Sequence, residues 1–404
     1  MKIFFLSIIM SASLVAGPFV YVADTTSNSI TPVNITTNSA ETDIAVGTFP
    51  VTLAITHDNA TAYVVNNNSN DVSPVDLITH SVGTAISVGL SPSGIAITPD
   101  GTTAYVTNTG SLTVTPIDIA TNTTGTDISL PNGPFAIAIT PDGSTAYVTN
   151  IGSNSVTPID LATSTPGTDI TVGNFPVAIA IDAGGNFAYV VNNDSNSVSI
   201  IDLSHSTVAA TISVGSSPVA IALTPDGTLA YVANQDSNTV TPINLLTNTT
   251  LMDIVITGSP SGVAISPDGT TAYVTNNTAN SITPIDIATN SAGTPIMVAS
   301  GPLGIAVTPP TLPPSHFVGR VKKEIYCTGK HQGLVLTTSW VESPAVDVVL
   351  YRIYKKGCVV DEVLTGFPLT FTTCVSKAQK AKNYSVTALS ANNIESDPVA
   401  IVIV

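Results

Sequence analysis

Carboxylates are the residues of this 404-residue chain best placed to do chemistry, because they recur at fixed intervals. Asp76, Asp118, Asp160, Asp202 and Asp286 share one slot of a repeating pattern, where metal binding or acid–base work would be the functional reading. Each ends an apolar run, and Asn34 and Asn244 fill the same slot in two copies. An amide accepts backbone N–H bonds but carries no charge, so the slot is predicted to shape a turn. A second group, Asn67-Asn68-Ser69-Asn70-Asp71, Asn193-Asp194-Ser195-Asn196 and Gln235-Asp236-Ser237-Asn238, offers hard oxygen ligands. It nominates Asp71, Asp194 and Asp236 as candidates for Ca²⁺. Their spacing is not that of an EF-hand loop, and solvated turns are the simpler expectation.

The other reactive side chains are sparse. His57, His80 and His205 lie in the repeating part, His316 and His331 beyond it, and no His-x-x-x-His pair occurs. Cys327, Cys358 and Cys374 are the only cysteines and lack a Cys-x-x-Cys spacing, which argues against a thiolate metal site. In an oxidising compartment they allow one disulfide, expected between Cys358 and Cys374, with Cys327 left as a thiol. No local signature of a serine or cysteine triad is present.

Charge is segregated. From Pro18 to Pro310 there is no Lys or Arg against twenty Asp and Glu, whereas ten of the eleven basic residues fall between Arg320 and Lys382. Nucleic-acid binding depends on Lys and Arg neutralising phosphates, so the long acidic part is excluded from it. Anionic membrane surfaces are excluded by the same reasoning.

The elements that must position these residues are set by a 42-residue period. Tyr21, Tyr63, Tyr105, Tyr147, Tyr189, Tyr231 and Tyr273 keep that step, as do Pro50, Pro92, Pro134, Pro176, Pro218, Pro260 and Pro302. A strict period in this range marks one supersecondary unit repeated around or along an axis. In the copy beginning at Pro92, Ser93–Thr98, Thr103–Thr107, Leu112–Ile117 and Thr126–Leu130 read as four strands. Pro99-Asp100-Gly101 is a turn in which Pro presets φ and Gly accepts a positive one. Four antiparallel strands per repeat is the measure of a β-propeller blade. The first strand centres on alanine in every copy, Ala54 through Ala306, which suits crowding near an axis. The chain starts at a tyrosine strand (Phe19–Ala23) and its last copy supplies only a first strand (Leu303–Thr308). Joined, they make one blade, three strands from one end and one from the other, and close a seven-bladed ring without open edges.

Tyr105-Val106-Thr107-Asn108, with Thr115-Pro116-Ile117-Asp118 and Thr98-Pro99-Asp100-Gly101, resembles the YVTN family of β-propeller repeats over Phe19–Pro309. The resemblance implies a seven-bladed propeller in secreted or surface-exposed prokaryotic proteins. Residues 1–17, with Lys2, the apolar run Ile3–Met10 and the small residues Ser11–Gly17, have the layout of a signal peptide cleaved after Ala16. No later run is long enough for a membrane helix. Residues 310–315 read as a stiff Pro-rich linker. Residues 316–404 hold strand-like runs, and Trp340, Tyr351-Arg352-Ile353-Tyr354 and Tyr384–Ala388 resemble a fibronectin type III sandwich.

The fold class expected is therefore all-β: a propeller over residues 18–309 followed by a small β-sandwich. The function expected from the residues is that of an exported, non-catalytic binding protein contacting a protein or glycan at the cell envelope, with no cofactor. The scarcity of Arg, Lys and His, with Glu41 the only Glu of the ring, weighs against an enzyme. Two alternatives stand beside it: a lactonase- or oxidoreductase-like enzyme with its site at the central channel, and a structural envelope protein.

Overall fold

The computed structural model describes residues 19–308 in full and, beyond them, the backbone of seven strands between Arg320 and Ala400. The signal-peptide, linker and Trp340 readings fall outside the described residues. So do the side chains of Cys327, Cys358 and Cys374.

Seven antiparallel sheets follow one another from Phe19 to Val307. In the sheet that begins at Pro92, the strands Pro92–Ile97, Thr103–Asn108 and Thr113–Asp118 lie side by side in that order. Each of the six continuous sheets repeats this meander. The seventh pairs Pro302–Val307 with Phe19–Asp24, which pairs in turn with Ser29–Asn34. Strands from the two ends of the ring thus share one blade. The seven innermost strands are neighbours in a closed cycle, with Pro302–Val307 touching both Pro260–Ile265 and Pro50–Ile55. The all-β, seven-bladed reading is observed.

The turn after each inner strand is built as its sequence requires. Gly101, Gly143, Gly227 and Gly269 all adopt φ between 68° and 72°. The Thr98 hydroxyl donates to Asp100 Oδ1 at 2.6 Å, and the Thr102 N–H donates to the same oxygen at 3.0 Å. Where His57-Asp58-Asn59 replaces Pro-Asp-Gly, Asn59 takes the left-handed position at φ 58°, which asparagine tolerates better than most residues.

Hydrophobic packing is divided into seven layers, one between each pair of adjacent blades. Each layer contains one of the seven tyrosines, for example Tyr105 with Val114, Ile137 and Ala146. The layer across the seam is equivalent: Tyr273 packs with Val20, Val22, Val33 and Ile282. Across the ladder every tyrosine faces an alanine of the inner strand, as Tyr105 faces Ala96 and Tyr21 faces Ala306. The alanines therefore make room for a ring inside the blade interface. The closest approach of neighbouring inner strands falls two residues earlier. A Cβ at Gly94, Gly262 or Gly304 would come within 2.4–2.6 Å of a backbone oxygen of the next inner strand.

The fourth strand departs from the sequence reading. In the copy that starts at Pro92 it is two short pieces, Thr123–Thr124 and Ile128–Ser129, pairing with opposite ends of Thr113–Asp118. Asp127 sits in the break and accepts a hydrogen bond from Thr115 Oγ1 at 2.6 Å. Where Thr211 occupies the same slot, the outer strand Thr207–Ser213 runs unbroken apart from one register shift.

Beyond the ring, Arg320–Thr328, His331–Ser339 and Phe371–Ser376 form a three-stranded antiparallel sheet. Cys358–Leu364, Val348–Lys355, Tyr384–Ser390 and Val399–Ala400 form a four-stranded one. No described helix is long and apolar enough to cross a membrane.

Candidate functional site: the axial channel

The seven inner strands enclose a cavity of about 630 Å³ on the ring axis. Its wall is apolar, with Val51, Ile95, Ile137, Ile179, Val219 and Ile305 among the residues that face it. No Asp, Glu, His, Lys, Arg or Cys lines it among the described residues. Two of its hydroxyls are already committed. Ser93 Oγ donates to the Phe135 carbonyl at 2.8 Å, and Ser261 Oγ to the Pro302 carbonyl at 2.9 Å, each stitching one inner strand to the next. Neither is paired with a base that could make it a nucleophile.

The amides are less committed. Asn67 Nδ2 donates to the Pro92 carbonyl at 2.8 Å and Asn193 Nδ2 to the Pro218 carbonyl at 3.0 Å, and both residues line the cavity. Gln235, in the equivalent slot of the next blade, lines the cavity, and no side-chain hydrogen bond of it is seen among the described residues. A neutral amide in an apolar wall is the kind of group that orients a ligand.

Phe49 and Phe175 stand in the cavity wall at two equivalent positions, each 39% exposed. Both adopt left-handed backbone, φ 59° and 55°, where other blades use Ser91, Gly133, Ser217, Ser259 and Gly301. Asparagine oxygens hold them there: Phe49 N–H donates to Asn28 Oδ1 at 2.8 Å and Phe175 N–H to Asn154 Oδ1 at 2.9 Å. The left-handed conformation costs a residue with a Cβ roughly 1–2 kcal/mol.

The residues nominated from sequence lie elsewhere. Asp118 Oδ1 accepts from the Thr121 N–H at 2.8 Å and the Thr121 hydroxyl at 2.7 Å, and Asp160 and Asp286 repeat this geometry. These bonds hold their carboxyls below the ordinary range. Asp202 falls to about 2, chiefly through its bonds to Ser204 and His205, whose Nδ1 is 2.9 Å from Asp202 Oδ2. Asn34 accepts from the Thr36 and Thr37 N–H groups in the same way. The turn reading of this slot is therefore observed. Of the Ca²⁺ candidates, Asp71 accepts from Asn66 Nδ2 at 2.7 Å and Asp236 from the Ser217 hydroxyl at 2.6 Å. They and Asp194 lie in three different blades, and no cluster of three or more His, Cys, Asp or Glu occurs among the described residues. Sequence reasoning passed over Asn67, Asn193 and Gln235 as channel groups. Their signal was positional, one residue past the end of each tyrosine-bearing strand.

Residues 6–309 match the YNCE-like beta-propeller family. The chain belongs to the YNCE-like beta-propeller family. No curated protein matches it. Among solved structures, this YNCE-like propeller is similar to a functionally unknown protein of Desulfotomaculum acetoxidans, with 20% identity and a TM-score of 0.66. That match covers 72% of this chain and 99% of the other. It is also similar to the periplasmic gluconolactonase of Pseudomonas aeruginosa, at 17% identity and TM-score 0.62, over 72% of this chain and 99% of that one. A putative 6-phosphogluconolactonase of Bacteroides fragilis gives 18% identity and TM-score 0.62, over 74% and 99%. At these identities the likeness establishes the fold.

These neighbours correct the expectation that the chain is not an enzyme. That expectation rested on the absence of Lys and Arg, the single Glu and the scattered His of the ring. The neighbours named as lactonases are built on the same kind of ring, and a count of charges is blind to neutral amides that can polarise a carbonyl. The YVTN label rests on the repeat motif; the family matched is the YNCE-like one.

Proposed function

We propose that this YNCE-like propeller hydrolyses an uncharged lactone in its axial channel. The observation that carries the reading is the pairing of an apolar, charge-free wall with the open amide of Gln235 and the amides of Asn67 and Asn193. An ester carbonyl developing negative charge is stabilised by an N–H donor in a dry site, and one such donor is worth on the order of 10²–10³ in rate. Gln235 Nε2 is the group assigned that role, and the oxygens of Asn67 and Asn193 orient the attacking water. Phe49 and Phe175 offer flat apolar surface to a ring. A phosphorylated lactone is disfavoured, because no Lys or Arg lies between Pro18 and Pro310 to meet its phosphate.

The test is ring opening of a panel of unphosphorylated sugar lactones by the full chain, followed by acid release. Turnover is expected, with a loss of about 10²-fold in Gln235→Ala and a loss in Val219→Trp, which narrows the channel. Absence of turnover across the panel would overturn the reading.

A second reading concerns partners. Leu246, Met252, Val255 and Met297 are 64–88% exposed, on or beside the outer strands of two adjacent blades. This apolar edge favours a protein contact at the cell envelope, consistent with export through residues 1–17 and a fibronectin type III-like tail. N-terminal sequencing of exported protein should begin at Gly17; an unprocessed Met1 would refute export by that route.

A further inference from the structure

The first blade departs from the other six at one buried position. Asn66, Asn108, Asn150, Asn192, Asn234 and Asn276 end their tyrosine strands, and each is completely buried. In the blade that joins the two ends of the ring, the same position is Asp24, equally buried. The asparagines begin a relay of hydrogen bonds. Asn108 Nδ2 donates to Thr115 Oγ1 at 2.8 Å, and Thr115 Oγ1 donates to Asp127 Oδ1 at 2.6 Å. Asn150, Thr157 and Asp169 repeat it, as do Asn234, Thr241 and Asp253. In the first blade the heavy atoms are likewise within hydrogen-bond distance: Thr31 Oγ1 is 2.7 Å from Asp24 Oδ2 and 2.8 Å from Asp43 Oδ1.

The protons do not balance if both carboxyls are ionised. A threonine hydroxyl has one hydrogen, and it cannot serve two carboxylates at once. Thr31 Oγ1 also accepts the Ala299 N–H at 3.3 Å, which engages one of its two lone pairs from the closing side of the ring and leaves the other for a donor at Asp24. One further proton is needed, on Asp24 or on Asp43. Asp43 is exposed and can be hydrated, whereas Asp24 is not, and its second oxygen has no hydrogen-bond partner. Burial assigns the proton to Asp24.

We propose that Asp24 is a protonated carboxylic acid that donates to Thr31 as the asparagines do, making the seam of the ring a proton-dependent latch. The location gives the proton its leverage. Asp24 pairs with Pro302 of the closing strand, and the next residue, Thr25, donates from N–H and hydroxyl to the Gly301 carbonyl, both at 2.9 Å. Loss of the proton to water would leave two carboxylates sharing one hydroxyl at the junction of the two chain ends. Among the elements packed there, Ser29–Asn34, Pro302–Val307 and Pro50–Ile55 carry no titratable side chain. Asp43 is the acid that faces Asp24; Glu41 bears on Tyr21, and Tyr273 packs against Val20 and Val22. No Lys or Arg of the described ring offsets them. Burial, reinforced by Asp43, raises the Asp24 carboxyl to about 7.

The sign follows. A carboxyl whose folded value lies above its unfolded value binds its proton more tightly in the folded ring. Its stabilisation is complete below the unfolded value near 4 and is lost as pH rises through about 7. One linked proton changes the folding equilibrium by up to tenfold per pH unit across that window.

Thermal and urea unfolding of the full chain and of Asp24→Asn, from pH 4 to pH 8, tests this. The two should unfold alike near pH 4, and the variant should become progressively the more stable as pH rises, the gap levelling off above about pH 7. A gap that stays constant with pH overturns the latch. Infrared difference spectra supply a second readout independent of the variant's stability. A protonated-carboxyl C=O band should be present in the wild type at pH 6 and absent from Asp24→Asn; no band in the wild type overturns the proposal. Asn108→Asp, placed in the same relay, should acquire the same band and pH dependence.

Discussion

Around the perimeter of the ring carboxylates sit at nearly every turn; along its axis, among the described residues, there is none. Both regions come from the same 42 residues, so the difference is one of position within the repeat. At the perimeter an aspartate is useful because the exposed turn has N–H and hydroxyl donors to gather, as Asp118 gathers those of Thr121. On the axis the inner strands run close enough that Gly94, Gly262 and Gly304 cannot bear a Cβ without meeting backbone. A charge there would be desolvated without a partner. The axis is left to apolar side chains and a few neutral amides, and a site built that way selects uncharged ligands.

The tyrosine layer separates the two regions, and breaking it gives the largest effect. Tyr105→Ala and Tyr273→Ala should each cost about 3–5 kcal/mol in urea unfolding, as large-to-small changes of buried aromatics do. Equal losses are the expected result, because the seam layer is packed like the others. A much smaller loss at Tyr273 would mean the seam is not a full interface.

Placing a cation on the axis erases the contrast there. Gln235→Arg should admit phosphorylated lactones that the wild type rejects, while turnover of the neutral ones falls about 10²-fold with the lost amide donor. Phe175→Gly isolates the strained aromatic. Relief of the left-handed backbone and the added freedom of glycine nearly cancel, so stability should shift by less than about 1 kcal/mol. Ligand affinity should fall several-fold, and an unchanged affinity would reduce Phe175 to a packing residue. The smallest effect belongs to the perimeter. Asp118→Ala should lower the melting temperature slightly and leave turnover untouched. Because the Asp118 carboxyl is held low by Thr121, its contribution is present above pH 4 and fades as pH falls below it.

Much of the ring was legible because each rule of the repeat is local. The 42-residue step fixed seven blades, the Pro-Asp-Gly turns required φ > 0 at Gly101 and its equivalents, and the mismatched chain ends implied a shared blade. The alanine slot was recognised as crowded, and the structure adds the tyrosine that Ala96 faces across the ladder within the layer between blades. The break in the outer strand was missed; Asp127 sits in it and accepts from Thr115, twelve residues earlier, but the break recurs where Pro295 fills the same slot. The channel amides were missed as well. Asn67, Asn193 and Gln235 read as members of polar loops, and only the curvature of the sheets brings them to one cavity. Asp24 hides in plain sight as a change from Asn, with its consequence set entirely by burial.

The most direct test of an uncharged axial site is a matched pair of substrates, one sugar lactone with and without its phosphate, assayed separately and in competition with the full chain. The neutral lactone should be opened and should be unaffected by an excess of the phosphorylated one. Preference for the phosphorylated lactone, or strong inhibition by it, would contradict the account.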